Sequence, residues 1–182
     1  MTAPTGGRLR NDLVLAMQNP SVVLYSDEFV TIIADLYPKS EHHYLVLPKE
    51  NIQQLRSLKK YHIPKLIYME LVGLEFARHI TGLPVKNFYV GFHAFPSMER
   101  LHLHVLSNDF RGTHMNQPHQ WNSFHTEFFV STHKAILDLQ SLGYVNLPPS
   151  KKSLYQSLRC HMCYYFSNDI QNLKLHLNLF HN

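Results

Sequence analysis

Two histidines two residues apart, His102 and His104, sit in the run Arg100, Leu101, His102, Leu103, His104, Val105, Leu106, Ser107. The run alternates polar and apolar residues, the pattern of a β-strand with one face buried. Residues two apart share a face on a strand and not on a helix. His102 and His104 therefore point the same way, while Leu101, Leu103 and Val105 face a core. Neighbouring imidazoles supply a nucleophile, a proton donor and a hydrogen-bond donor. Three readings fit them: a half-solvated face with no task, zinc chelation by His-x-His, and phosphate chemistry by a histidine nucleophile.

The flanking residues weigh between these. Tyr89 to Met98 reads as a second strand ending in a tight turn that carries Pro96, after which the His strand begins. The Ser97 hydroxyl and backbone N–H groups at such a turn suit a phosphoryl oxygen. Glu99 is the one carboxylate of this hairpin. A catalytic zinc would need another ligand from afar, so imidazole chemistry without a catalytic metal is the expectation.

The rest of the chain must build a sheet around this hairpin. Its 182 residues suffice for one sizeable core and a small appendage. The 45% hydrophobic content is ordinary for a globular protein. A net charge of +4, before counting 14 histidines, permits a polyanionic partner. Two cysteines in one short motif argue against a disulfide scaffold and for a reducing compartment. No apolar run approaches the ~20 residues of a membrane span, and no signal-peptide core is visible. A soluble, intracellular chain with no membrane partner is expected.

Residues 1–7 are rich in Thr, Pro and Gly and are expected to be a disordered tail. Asn11 caps a short helix through Met17, with Leu9, Leu13, Val14, Ala16 and Met17 apolar and Arg8 and Arg10 basic. Val22 to Ser26 and Phe29 to Asp35 read as strands, as does His43 to Pro48. Asp35 ends its strand, where a carboxylate can accept from two vicinal hydroxyls or simply shape a turn. A long amphipathic helix starts at Ser57 or Lys59 and reaches about Ile80, with Pro64 tolerated in its first turns. Asn108 to Gln120 is a polar loop. Trp121, the sole tryptophan, anchors this loop in the core. Thr132 to Leu142 is helical and closes at Gly143. Leu147 to Lys152 marks a boundary.

Beyond it the spacing is Cys160-x2-Cys163, twelve residues, His176-x4-His181. These four residues fit a tetrahedral structural zinc of the two-Cys two-His finger, with Leu173 and Leu177 as its mini-core. His161, beside a ligand, is not counted as one. A lone finger reads few bases, so contact with phosphates is the expected use.

Gly91 to Met98 and Leu101 to Phe110 together resemble the signature of the histidine-triad superfamily. Within it, the closer resemblance is to the branch of DNA 5′-adenylate hydrolases, and it runs from about Arg8 to His181. Arg100 departs from the family's His-x-His-x-His pattern, standing where the first histidine would be. The resemblance implies an α+β histidine-triad fold: an antiparallel sheet of about five strands with helices, plus the zinc finger. It divides the chain into the tail 1–7, a catalytic domain 8–147 and a finger 148–182.

The resemblance also implies roles. His102 is the nucleophile, His104 holds a phosphoryl oxygen, Ser97 stabilises developing charge and His43 serves the leaving group. Asp35 takes the ribose hydroxyls, Ile33 the adenine, and Lys39, His93 and Ser107 other parts of the nucleotide. The N-terminal helix, in this branch a wedge at a DNA end, reads from sequence alone as a docking helix. The implied substrate is a 5′-adenylated DNA end, nicked or double-stranded or at an RNA–DNA junction, with AMP as product. A monomer in the nucleus, with one structural zinc and no catalytic metal, completes the expectation. Two other readings stay open: a histidine-triad hydrolase of small nucleotides, and a binding module without catalysis.

Overall fold

The computed structural model describes residues 12–181. The expectations for residues 1–7, for Arg8, Leu9 and Arg10, and for Asn11 as a cap fall outside them. The elements, in order, are helix α1 (Asp12–Gln18), strands β1 (Val23–Ser26), β2 (Val30–Ala34) and β3 (His43–Pro48), and helix α2 (Ile63–Thr81). Strands β4 (Phe88–His93) and β5 (Leu103–Ser107), helix α3 (Pro118–His125), strand β6 (Phe129–Ser131) and helix α4 (Thr132–Ser141) come next. The last are strands β7 (Leu158–Arg159) and β8 (Phe166–Ser167) and helix α5 (Ile170–Phe180).

The main sheet has six strands in the order β1-β2-β3-β5-β4-β6, every pair antiparallel. The expected count of about five missed β6, whose three residues are too few to show an alternation. The fold class, helices against an antiparallel sheet with an appended finger, is as read.

Period-two alternation splits the sheet into two faces. Val30, Ile32, Tyr44, Val46, Phe88, Phe92, Leu103 and Val105 pack with Leu66, Met69 and Ala77 of α2 and Ala135 and Leu139 of α4. Each Val, Leu, Ile, Phe or Met side chain among them, when fully buried, contributes about 1.5–3 kcal/mol. Gly73 lets α2 approach closely: a Cβ there would lie 2.8 Å from Val46 Cγ2 and 2.9 Å from Val105 Cγ2. On the other face, Ile33, Leu45 and Leu47 pack with Leu13 of α1. Further along, Leu106 packs with Phe110, Met115, Trp121 and Phe124. The histidines lie on this second face.

Three local readings are corrected. The His strand begins at Leu103, not Arg100, and every residue of it is buried. Its second face is covered by α3 rather than open to water. The connection from β4 to β5 runs from Ala94 to His102 and is no tight turn. The long helix begins at Ile63, because 3-10 turns at Leu55–Ser57 and Lys60–His62 occupy its expected start. Pro64 sits at its first turn and Gly82, at φ 73°, ends it. Among the described residues no helix is long and apolar enough to cross a membrane.

The finger shares its core with the rest of the chain. Leu158, Cys160, Ile170, Leu173 and Leu177 form one buried cluster with Leu106, Phe110, Met115, Trp121 and Phe124. Trp121 Nε1 donates to Arg159 O at 2.9 Å. Asn122 Nδ2 donates to Leu154 O at 3.1 Å and Gln156 O at 2.8 Å. Lys174 Nζ donates to Met115 O at 3.2 Å. Leu173 and Leu177 thus serve a joint core rather than a private one.

Candidate active site

Four imidazoles converge on the second sheet face. Gly91 on β4 and Leu45 on β3 both pair with His104, and His43 pairs with Leu106. This register sets His43, His93 and His104 side by side across three strands. The ring of His104 lies 4.4 Å from that of His93, 5.0 Å from His102 and 5.2 Å from His43. Phe124 of α3 closes over them, 4.8 Å from His93, 5.5 Å from His104 and 5.8 Å from His43. No sequence pattern marks Phe124 as part of a site; its role comes from where α3 packs.

Hydrogen bonds fix which nitrogen carries each proton. The Lys39 backbone N–H donates to His43 Nδ1 at 3.2 Å, so neutral His43 is protonated at Nε2. That Nε2–H donates to His104 Nδ1 at 2.9 Å and lies 3.4 Å from Asp35 Oδ2. His104 is therefore protonated at Nε2, a buried group with no hydrogen-bond partner among the described residues. His102 Nδ1 lies 2.6 Å from the Arg100 carbonyl and so carries the proton it donates there. The Nε2 of His102 is left with a lone pair that has no hydrogen-bond partner among the described residues.

Burial keeps these rings neutral. It pushes His43 down to about 4, against the opposing pull of Asp35. It lowers His102 despite the Arg100 carbonyl and Asp35, which favour its protonated form. It holds His93 and His104 well below the usual imidazole range, with neighbouring imidazoles adding to the effect. A neutral His102 with a free Nε2 lone pair is in the form a nucleophile needs.

The remaining candidates fall into two groups. Asp35 Oδ1 accepts from Tyr37 N–H at 2.8 Å. Its other oxygen, near His43, ties it to the imidazole cluster. Lys39 is half-buried beside it: burial lowers its pKa and Asp35 raises it, while its ammonium bonds Tyr37 O. Ile33 is buried against Leu13 under α1. Ser97 is exposed on the β4–β5 connection and is not drawn into the imidazole cluster. Ser107 is buried and already engaged: it accepts from His42 N–H at 3.1 Å and donates to Asp109. Its hydroxyl stitches β3 to the end of β5.

Arg100 takes a position of its own. Its guanidinium donates to Asn51 Oδ1 at 2.8 Å, Pro48 O at 2.7 Å and Lys49 O at 3.1 Å. The motif shows that a histidine is replaced; it does not show where the longer side chain goes.

Among the described residues, two donor sets could hold a metal. Cys160, Cys163, His176 and His181 bring their ligand atoms within 4.8 Å of one another. His176 Nε2 and His181 Nε2 lie 3.1 Å and 3.3 Å from Cys163 Sγ and 3.2 Å from each other. Two thiols and two imidazoles so gathered suit a structural zinc. His161 turns away to Asn108 O at 2.8 Å, as expected of a non-ligand. Asp35, His43 and His104 form the second set, also within 4.8 Å. Here the Nδ1 lone pairs of both histidines already accept hydrogen bonds.

Known proteins match at each level. Residues 10–120 match the family model described as scavenger mRNA decapping enzyme C-term binding. Residues 125–179 match a C2HE / C2H2 / C2HC zinc-binding finger. An aprataxin-like protein of Saccharomyces cerevisiae is 30% identical, with 88% of each chain covered. The chain belongs to the aprataxin family. An aprataxin of Gallus gallus is 37% identical over 94% of this chain and 54% of its own length. The chain thus spans about half the length of that relative. Among solved structures, the aprataxin ortholog Hnt3 in complex with DNA matches with TM-score 0.76 and 26% identity, covering 93% of this chain and 92% of that one. Hnt3 from Schizosaccharomyces pombe matches with TM-score 0.70 and 26% identity, covering 93% and 91%. The chain therefore has a histidine-triad fold with a zinc-binding finger.

Proposed function

We propose that the chain hydrolyses the 5′–5′ pyrophosphate joining AMP to a DNA 5′ end. The observation that carries the chemistry is the His102 Nδ1–Arg100 O hydrogen bond, which leaves Nε2 as a free lone pair on a buried neutral ring. His102 Nε2 attacks the phosphorus of AMP. The bond to the bridging oxygen breaks, and the DNA 5′-phosphate leaves with that electron pair. A phosphoramidate joins His102 to AMP. Water then attacks the same phosphorus, AMP is released and His102 regains its lone pair.

The other groups serve this displacement. The free Nε2–H of His104 is a donor for a phosphoryl oxygen whose charge grows in the transition state. His43, linked to His104 and Asp35, faces the leaving-group side. Asp35 keeps acceptor capacity for ribose hydroxyls beyond its bonds to Tyr37 and His43. The route uses imidazoles and no catalytic metal; the hydrogen bonds that occupy the His43 and His104 Nδ1 lone pairs support that reading. The zinc held by Cys160, Cys163, His176 and His181 is structural. The DNA substrate class is supported by the Hnt3–DNA likeness and by the finger fused beside the site. A nuclear location accords with such a substrate.

The test is acid quench of the protein during turnover of adenylated DNA. AMP is expected on His102 alone, and His102→Ala should abolish turnover while the adenylated DNA still binds. Label on His104, or full activity of His102→Ala, would overturn the reading. Rapid hydrolysis of adenosine phosphoramidates with none of adenylated DNA would move the substrate class to small nucleotides.

A further inference from the structure

We propose that the Arg100 side chain is a positioning residue for His102: it clamps the backbone carbonyl that holds the nucleophile in its Nδ1–H tautomer. The inference rests on His102 as nucleophile, not on the identity of the substrate.

Arg100 is 7% exposed, so its charge has left water. Among the described residues no carboxylate lies within ion-pair distance of it. Burial alone accounts for the lowering of its pKa. A guanidinium buried among neutral acceptors is costly, and its Nε has no hydrogen-bond partner among the described residues. An apolar side chain of similar volume would pack here without that cost. What the guanidinium adds is a planar fork of fixed donors.

That fork grips one segment. It bonds the carbonyls of Pro48 and Lys49 and the amide oxygen of Asn51. The next residue continues the contact, Leu101 N–H donating to Ile52 O at 2.9 Å. Residues 100 and 101 are thus tied to residues 48–52, where β3 runs out. This anchorage compensates for the late start of β5. His102 lies outside the regular ladder, and its preceding peptide has no strand pairing to hold it. The carbonyl so fixed is the acceptor for His102 Nδ1 at 2.6 Å. If it swings, the ring loses the partner that selects its tautomer, and the lone pair is no longer confined to Nε2.

The experiment pairs histidine nitrogen-15 NMR with steady-state kinetics on the full chain. Arg100→Met keeps the packed stem and removes the fork. His102 is expected to change from a single Nδ1–H tautomer to a mixture of both. On adenylated DNA, kcat should fall about 100-fold, the scale of a small misplacement, with KM unchanged. Arg100→Lys, with fewer donors and no fork, should fall between the two. Asn51→Ala alters an exposed residue and removes one acceptor; kcat should fall about tenfold, the size of one charge-assisted hydrogen bond. If Arg100→Met does not fold, Asn51→Ala decides. A wild-type tautomer and wild-type kcat in either variant, with only a lower melting temperature, would make Arg100 a packing residue and overturn the proposal. The NMR needs no substrate, so it stays decisive even if the chain fails to act on adenylated DNA.

Discussion

Unfolding the finger should dismantle the imidazole site. The perturbation is Cys163→Ser, at an exposed zinc ligand far along the chain from His102. Structural zinc supplies about 10–16 kcal/mol of folding free energy in isolated fingers. Without it, α5 and the β7–β8 ribbon lose what gathers them. Leu158, Ile170, Leu173 and Leu177 would then leave the cluster they share with Trp121 and Phe124. At about 1.5–3 kcal/mol for each buried side chain, the loss is on the order of 6–12 kcal/mol as an upper bound. A whole domain is stable by about 5–15 kcal/mol. Trp121 Nε1 also loses its acceptor, Arg159 O. Phe124, on the same helix, is the lid over His43, His93 and His104.

Trp121 is the sole tryptophan and fully buried, so its emission reports on this junction alone. Cys163→Ser should red-shift it. Hydrolysis of a small adenosine phosphoramidate should fall in step with hydrolysis of adenylated DNA. A finger that only grips DNA would give a different result: Trp121 unchanged, small-substrate activity intact, DNA activity alone reduced. That outcome would refute the shared-core reasoning. Because the mutated ligand is not among Asp35, His43 and His104, loss of activity cannot be assigned to a metal at those three residues.

The site yields two more expected outcomes. Burial lowers the pKa of His43, His93, His102 and His104 in the folded chain, so between the unfolded value of about 6.5 and the folded values the unfolded state binds more protons. Their contribution to stability is full above about pH 6.5 and is lost as pH falls toward and through about 4, the value for His43. The melting temperature should drop from about pH 7.5 to about pH 5, and a flat profile would contradict the assigned neutral rings. Gly91→Ala would set a Cβ 2.7 Å from Val130 O and 2.9 Å from the Phe129 ring. Backbone cannot yield there, so overpacking should cost about 1–3 kcal/mol, or about 2–12 °C of melting temperature; an unchanged melt would show that β6 moves freely.

Legibility in the sequence tracked how local the determinant was. His43–Pro48 is a short apolar run between the polar stretches Lys39–His42 and Lys49–Asn51, and its strand could be read to the residue. The zinc ligands announced themselves by spacing, and the structure gathers all four. The site was legible where the motif carried it: His102 and His104 are neighbours, and His43 joins them through β3. Phe124 and the Lys39 backbone N–H left no trace, because each acts only once strands far apart in sequence are in register. The local partners of Ser107 were equally invisible. Its motif position suggested a nucleotide contact, and the structure adds bonds to His42 N–H and Asp109.

The finger shows the same limit at the scale of domains. Pro148 and Pro149 look like a linker, and a boundary there separates two recognisable units. Side chains on both sides of that boundary nevertheless fill one core. Apolar residues in α5 can be read as a buried face, but the sequence does not say whose. The answer changes the role of the metal. Zinc in a tethered finger would act on DNA affinity alone. Zinc held by Cys160, Cys163, His176 and His181 would hold α5 against α3, and α3 carries Phe124 over His43, His93 and His104. One ion, with Cys160 standing 58 residues along the sequence from His102, would thereby help set the burial that keeps those rings neutral.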